Sequence, residues 1–218
     1  MKRVLSLIAA LSLGLLMVGA VFAQERVVIL EDDFELYISQ PAFGGAYQVT
    51  DGRPIARLST AENNTEGGMQ SVMLRGQMGA VVGLPSGLAS VETRVAIRSN
   101  GAGTEERGVL RLRWSNAPGG AKDLLIGIWP SLDNFVYRDT LAGIGWTESS
   151  VARSEGWHEI AVYTGEDGTR VLIDGVEVYQ TPDFKGVSSV GFVDFWSAQD
   201  AQMLPVYFDD LLVATTNE

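Results

Sequence analysis

The 218-residue chain has no cysteine. That excludes a disulfide framework, thiolate zinc sites and thiol catalysis. It has one histidine, His158, and lacks the G-x-S-x-G run of a nucleophile elbow, so the sequence gives no ground for a Ser/His/Asp catalyst. Positive charge is scarce. Beyond residue 23 there are 14 Lys and Arg against 27 Asp and Glu, a net −13, and 12 of the 14 are arginine. Such a chain is not drawn to nucleic acid or to an anionic membrane surface by its overall field. One apolar run alone is long enough to span a bilayer, at residues 4–23.

That run has the layout of a secretory signal peptide. Met1-Lys2-Arg3 is a basic start, residues 4–23 are apolar apart from Ser6 and Ser12, and Val21-Phe22-Ala23 puts small residues before Gln24. The expectation is a signal peptide at 1–23 and one mature domain at 24–218. The protein would be exported, to the medium, the periplasm or the cell surface, with no membrane insertion after cleavage. An uncleaved anchor is the rival reading. The remaining 195 residues can bury roughly 70% of their unfolded surface, enough for one domain without staples.

The mature part carries a period of two. Residues 90–99 put Val91, Thr93, Val95 and Ile97 on one face and Glu92, Arg94, Ala96 and Arg98 on the other. Residues 107–114 set Leu110, Leu112 and Trp114 opposite Val109, Arg111 and Arg113, and residues 158–164 alternate likewise. Alternation of this kind marks half-buried strands. Asn100-Gly101, Pro118-Gly119-Gly120, Asp167-Gly168 and Asp174-Gly175 supply turns between the runs. No helical stripe appears after residue 23. Residues 60–69 and 115–121 read as exposed loops. Roughly a dozen strands and no composition break predict an all-β, antiparallel sandwich.

The last third is the most distinctive. Gly156-Trp157-His158-Glu159 opens a strand, Asp167-Gly168 turns it, Ile173-Asp174-Gly175-Val176 forms a hairpin, Val190-Gly191-Phe192 follows, and Phe208-Asp209-Asp210-Leu211 closes the chain. With Asp32-Asp33-Phe34 near the start, this resembles the concanavalin A-like lectin/glucanase superfamily in its laminin G-like branch. The resemblance implies a jelly roll of two curved antiparallel sheets whose first and last strands are neighbours. It also implies a concave sheet face as the ligand surface. It does not fix a function, since the superfamily holds lectins, binding modules, adhesion domains and hydrolases.

Glucanases of that superfamily carry an E-x-D-x-x-E run on one strand, where one acid attacks and the other donates a proton. This chain has none, so a non-catalytic glycan-binding domain is expected. If the strands bearing Arg94, Arg98 and Arg111, Arg113 are adjacent, the four arginines form a ladder whose forks suit vicinal hydroxyls or carboxylates. Trp129, Tyr137, Asp194 and Trp196 are placed around it, the rings to stack on a sugar and Asp194 to orient hydroxyls. The alternative is that the arginines pair with the excess acids and the tryptophans pack. Trp114 and Trp157 are assigned to the core, and His158 to a partly exposed strand position. Asp32, Asp33, Asp209 and Asp210 come close if the terminal strands pair, which permits a structural calcium; otherwise they cap turns. Asn63-Asn64-Thr65 matches a glycosylation sequon. The other readings of function are a structural or adhesion domain of the cell envelope, and a glycoside hydrolase or lyase with a non-standard acid pair.

Overall fold

The computed structural model describes residues 26–48, 54–86, 88, 90–194 and 203–216. The proposed signal peptide and Trp196 lie outside them. Fourteen strands and one short helix follow in chain order: β1 Arg26–Asp32, α1 Gln40–Ala46, β2 Arg57–Ser59, β3 Ser71–Leu74, β4 Gly79–Gly83, β5 Val91–Asn100, β6 Gly108–Trp114, β7 Lys122–Ile128, β8 Asn134–Asp139, β9 Thr147–Ala152, β10 Glu155–Gly165, β11 Gly168–Ile173, β12 Val176–Thr181, β13 Ser189–Val193 and β14 Val206–Thr216. Among the described residues no helix is long and apolar enough to cross a membrane.

The strands form a jelly-roll sandwich of two antiparallel sheets. The eight-stranded sheet runs β12-β11-β10-β5-β14-β3-β2, with β1 also paired to β14; the six-stranded sheet runs β4-β13-β6-β7-β8-β9. The first and last strands pair as the resemblance implies, from Arg26 opposite Thr216 to Asp32 opposite Leu211. Alternation sets which face each side chain takes. Val91, Thr93, Val95 and Ile97 on β5 are all buried, as are Leu110 and Leu112 on β6 and Ile160 and Val162 on β10. They meet Phe135, Phe184, Phe192 and Phe208 in one core between the sheets.

The helix α1 is missing from the sequence reading for a simple reason. It has seven residues and one buried side chain, Phe43, so no stripe can form. Its signal is the cap: Ser39 accepts from Ala42 N at 3.4 Å, and Pro41 stands in the first turn. Phe43 stacks on Tyr47 with centroids 4.8 Å apart and meets Phe34 edge-on at 6.3 Å.

Two glycines set local geometry. Asp174 and Gly175 both have positive φ, 50° and 76°, as the tight β11–β12 hairpin requires. Gly168 has φ 108°, and a Cβ there would lie 2.1 Å from Thr181 O, so glycine is needed for close approach of two backbones.

Candidate functional site

The expected arginine ladder is split between the sheets. β5 pairs with β10 and β14, whereas β6 pairs with β13 and β7. Residues 101–107 carry the chain from one sheet to the other, so Arg94 and Arg98 face outward on one side of the sandwich and Arg111 and Arg113 on the opposite side. Arg94 and Arg98 sit among acids. Arg94 Nε reaches Glu92 at 2.5 Å and Nη2 donates to Tyr163 OH at 2.8 Å, and Arg98 Nε donates to Glu62 at 2.7 Å. This matches the alternative reading, arginines on a solvated acidic face, and removes both from a shared surface with Arg111.

The outer face of the six-stranded sheet gathers most of the other expected residues. Register aligns Gly191, Arg111, Leu125 and Arg138 in one cross-strand row, and Val193, Val109, Gly127 and Val136 in the next. Gly127 and Gly191 are fixed by packing, since a Cβ at either would meet a neighbouring carbonyl oxygen at 2.3 Å. Arg111 is 1% exposed. Arg113 clasps Asp123 through two bonds, of 2.8 and 3.1 Å.

Trp146 packs on Val109, Leu125 and Val193 of this face. The Trp129 ring lies beside it, with centroids 4.4 Å apart and planes 34° from parallel. Both indoles are half-buried. Each is covered by a guanidinium: Arg107 is 6.0 Å from the Trp129 centroid, and Arg138 is 5.8 Å from that of Trp146. Arg107 is in turn held by Asp194, with Nε–Oδ1 2.5 Å and Nη2–Oδ2 3.4 Å, both side chains buried. Asp194 is thereby brought beside Trp129, as the buried partner of an arginine. Trp146, Arg138 and Arg107 were missed. Arg107 and Trp146 lie just outside β6 and β9, where alternation assigns no face, and only the register across β6, β7 and β8 brings Arg138 to the same surface.

Tyr137 is not on this face. It shares the inward phase of Phe135 and Asp139, packs against the core and stacks on Tyr179 of the opposite sheet at 4.7 Å. Tyr179 OH donates to Asp139 at 2.9 Å, and burial with that carboxylate pushes the Tyr179 hydroxyl pKa up. Trp114 lies against the core, edge-on to Phe184 at 6.0 Å. Trp157 departs from expectation: it shares the outward phase of Glu159 and lines a hollow on the eight-stranded sheet with Arg94, Asn64 and Asp210.

A buried charge knot, unforeseen from sequence, positions Trp129. Arg153 and Glu106 pair at 2.5 Å with neither side chain exposed. Arg153 also donates to Trp129 O at 2.9 Å, Leu132 O at 2.8 Å and Gly101 O at 2.9 Å. Glu106 accepts from Ser99 Oγ and Asn100 N at 2.9 and 3.0 Å. The knot ties the β5–β6 crossing, the loop after β7 and the β9–β10 turn into one unit. Arg153 sits in an Ala-Arg-Ser-Glu run that reads as exposed, so composition gives no hint of it.

The four aspartates expected to offer calcium are each engaged by protein donors, although Asp32, Asp33 and Asp210 line one hollow. Asp32 accepts from Phe34 N at 2.8 Å and from the hydroxyls of Tyr37 and Tyr47 at 2.7 and 2.8 Å. Burial and this carboxylate push both hydroxyl pKa values up. Asp33 accepts from Glu35 N at 3.1 Å. Asp209, fully buried, accepts from Asn64 N at 2.7 Å and Asp210 N at 2.9 Å, while Asp210 takes Asn64 Nδ2 at 2.5 Å and Thr65 Oγ1 at 2.7 Å. Burial lifts the Asp209 carboxyl to about 6 against the pull of those amides. These are the turn caps of the alternative reading. Among the described residues, no group of three or more acidic or histidine side chains is arranged to hold a metal ion. The sequon asparagine is also engaged: Asn63 Nδ2 donates to Glu35 at 2.8 Å and Gln70 O at 2.7 Å.

His158 is buried rather than partly exposed, at 8%. Nδ1 stands 2.7 Å from Asp174 Oδ2, and Nε2 stands 3.0 Å from Ser154 O and 3.3 Å from Ser154 Oγ. The order Ser-His-Asp is that of a nucleophile triad, but Nε2 lies nearer the Ser154 carbonyl than its hydroxyl. The ring clamps the β9–β10 turn to the β11–β12 hairpin against Phe135, 4.9 Å away.

No family model matches the chain, and no curated protein matches it. Solved structures share its fold. One is the cellulose-induced protein Cip1, at 18% identity over 86% of this chain and 97% of that one, TM-score 0.55. Another is a galectin-like protein of unknown function from Bacillus subtilis, at 10% over 88% and 98%, TM-score 0.53. A sialidase matches at 11% over 88% of this chain, TM-score 0.56, and the chain spans 19% of that protein. At these identities the likeness is one of fold, a jelly-roll sandwich that is galectin-like in the Bacillus protein.

Proposed function

We propose that this chain is an exported, non-catalytic carbohydrate-binding domain whose site is the outer face of the six-stranded sheet. The observation that carries the reading is the Trp129–Trp146 pair, half-buried and flanked by Arg107 and Arg138. Half-buried, the two indoles leave apolar ring surface beside the guanidinia for contact with a pyranose. Arginine forks beside them meet hydroxyls or carboxylates. Arg111, Arg113 and Asp194 form the polar ground of the same face. The site is built from side chains locked by packing and ion pairs, which suits recognition without rearrangement. Structures of like fold are described as a cellulose-induced protein, a galectin-like protein and a sialidase, and these descriptions fit a glycan partner. The finer placement, a laminin G-like member of the concanavalin A-like superfamily, rests on the motifs of the last third.

The test is a glycan and polysaccharide array on the purified chain, repeated with Trp146→Ala and with Trp157→Ala. Selective binding lost in the first variant and kept in the second supports the reading. Silence across the array from a folded sample sinks it. A reducing-sugar assay on the bound polysaccharides tests the non-catalytic part, and turnover would overturn it. Export is tested by N-terminal sequencing of the secreted protein, with Gln24 the expected start.

A structural or adhesion role is the second reading. It is favoured by Leu36, Ile38 and Met69, which are 87%, 95% and 70% exposed. Glu35 ties the two loops together by accepting from Met69 N at 2.6 Å. An apolar tip of this kind suits a protein or polymer surface. Concentration-dependent mass in solution would favour this reading over the first.

A further inference from the structure

We infer that the sugar recognised at the Trp129–Trp146 platform is an acidic one, a pyranose carrying a ring carboxylate; this rests on the carbohydrate-binding reading above. The inference starts from Arg138. Two other arginines of the face are committed to carboxylates, Arg107 to Asp194 and Arg113 to Asp123. Arg138 has no carboxylate within 4.0 Å among the described residues. Its recorded contact is the Trp146 ring at 5.8 Å, and its side chain is half-buried on strand β8. In a chain with 27 acids against 16 bases, a guanidinium left beside an indole rather than beside an acid is unusual.

The geometry suits one chemistry. A pyranose seated against the indoles brings its ring substituents within reach of Arg138, whose guanidinium lies over the Trp146 ring. A carboxylate there receives two parallel N–H bonds from a planar fork, which a neutral hydroxymethyl group cannot match. The Trp146 ring under Arg138 restrains the side chain, so less of its freedom is lost on binding.

The experiment measures affinity for polygalacturonate and for the same polymer after carboxyl reduction, with an array of sialylated glycans alongside. The first pair reports a uronate source and the array a sialate source. The expected result is binding to a carboxylated ligand roughly tenfold or more tighter than to its neutral twin. Arg138→Gln abolishes that preference, lowering affinity for the carboxylated ligand far more than for its neutral twin, while leaving the melting temperature in place. Arg138→Lys, which keeps the charge but loses the fork, recovers part of the preference and guards against a misfolded Gln variant. Equal affinity for the acidic and neutral forms overturns the inference while the carbohydrate-binding reading stands. So does a preference that survives Arg138→Gln. No binding to any sugar overturns both.

Discussion

Single side chains in this protein fall into those whose charge is trapped and those whose charge is solvated, and the two should respond differently to loss. Arg153 and Glu106 are both 0% exposed and share five or more further bonds with the loops around them. Removing one partner leaves the other charge buried without compensation. Arg153→Met should therefore cost about 3–5 kcal/mol in urea unfolding. Arg170→Ala, which removes a pair with Glu177 in which the two side chains are 55% and 45% exposed, should cost about 0–1 kcal/mol. Similar losses for the two would refute the knot. Asp209 makes a pH argument. Burial raises its carboxyl from 3.8 to about 6, so the folded chain binds this proton more tightly than the unfolded chain. Its contribution to stability is fully present below pH 3.8 and is lost as pH rises through about 6. Against Asp209→Asn, which cannot titrate, the wild-type advantage should shrink between those limits. Parallel stability curves across that window would mean that the carboxyl is not perturbed.

At the scale of the element, backbone geometry divides two glycines that look alike in sequence. Asp167-Gly168 and Asp174-Gly175 are both Asp-Gly pairs at hairpins. A Cβ at Gly168 meets Thr181 O at 2.1 Å, whereas at Gly175 nothing lies within 4 Å. Gly175→Ala carries only the strain of positive φ, about 1–2 kcal/mol. Gly168→Ala adds a backbone clash and should cost about 3 kcal/mol or more, with β11 and β12 losing amide protection first. Equal losses would remove the close-approach argument. The same contrast explains what the sequence could carry. Alternation around Val95, Leu110 and Ile160 made the strands, their inward faces and the sandwich legible, because a period of two survives in one dimension. The site was legible only in part. Trp129, Asp194, Arg111 and Arg113 were expected together, and the structure does gather them at the outer face of the six-stranded sheet. Arg94 and Arg98 were joined to them because the sheet to which each strand belongs is a non-local fact, set by the 101–107 crossing. Tyr137 was misplaced by its phase against Phe135. Trp146 and Arg138 became visible only through the register of β8 with β7 and β9.

For the whole molecule, overall charge and local charge oppose each other, and their ranges differ. Residues 24–218 carry a net −13, so the long-range field of the domain repels an acidic polysaccharide. The guanidinium of Arg138 attracts the same ligand only at contact. In about 0.01 M salt the screening length is roughly 30 Å, comparable to the domain itself, and the full negative field acts on the approaching polymer. In about 0.15 M salt it is roughly 8 Å, which removes the repulsion of distant acids while leaving a contact pair beside an indole little affected. At about 1 M salt it is roughly 3 Å, and the contact pair is weakened as well. Affinity for polygalacturonate should therefore rise from low to intermediate salt and fall again at high salt. Affinity for the carboxyl-reduced polymer should stay nearly flat. Titrations at the three ionic strengths separate the cases. A steady fall from the lowest salt upward would mean that the binding face, not the net charge, dominates the field at long range, and the account of Arg138 as a local receptor in a repelling molecule would be wrong.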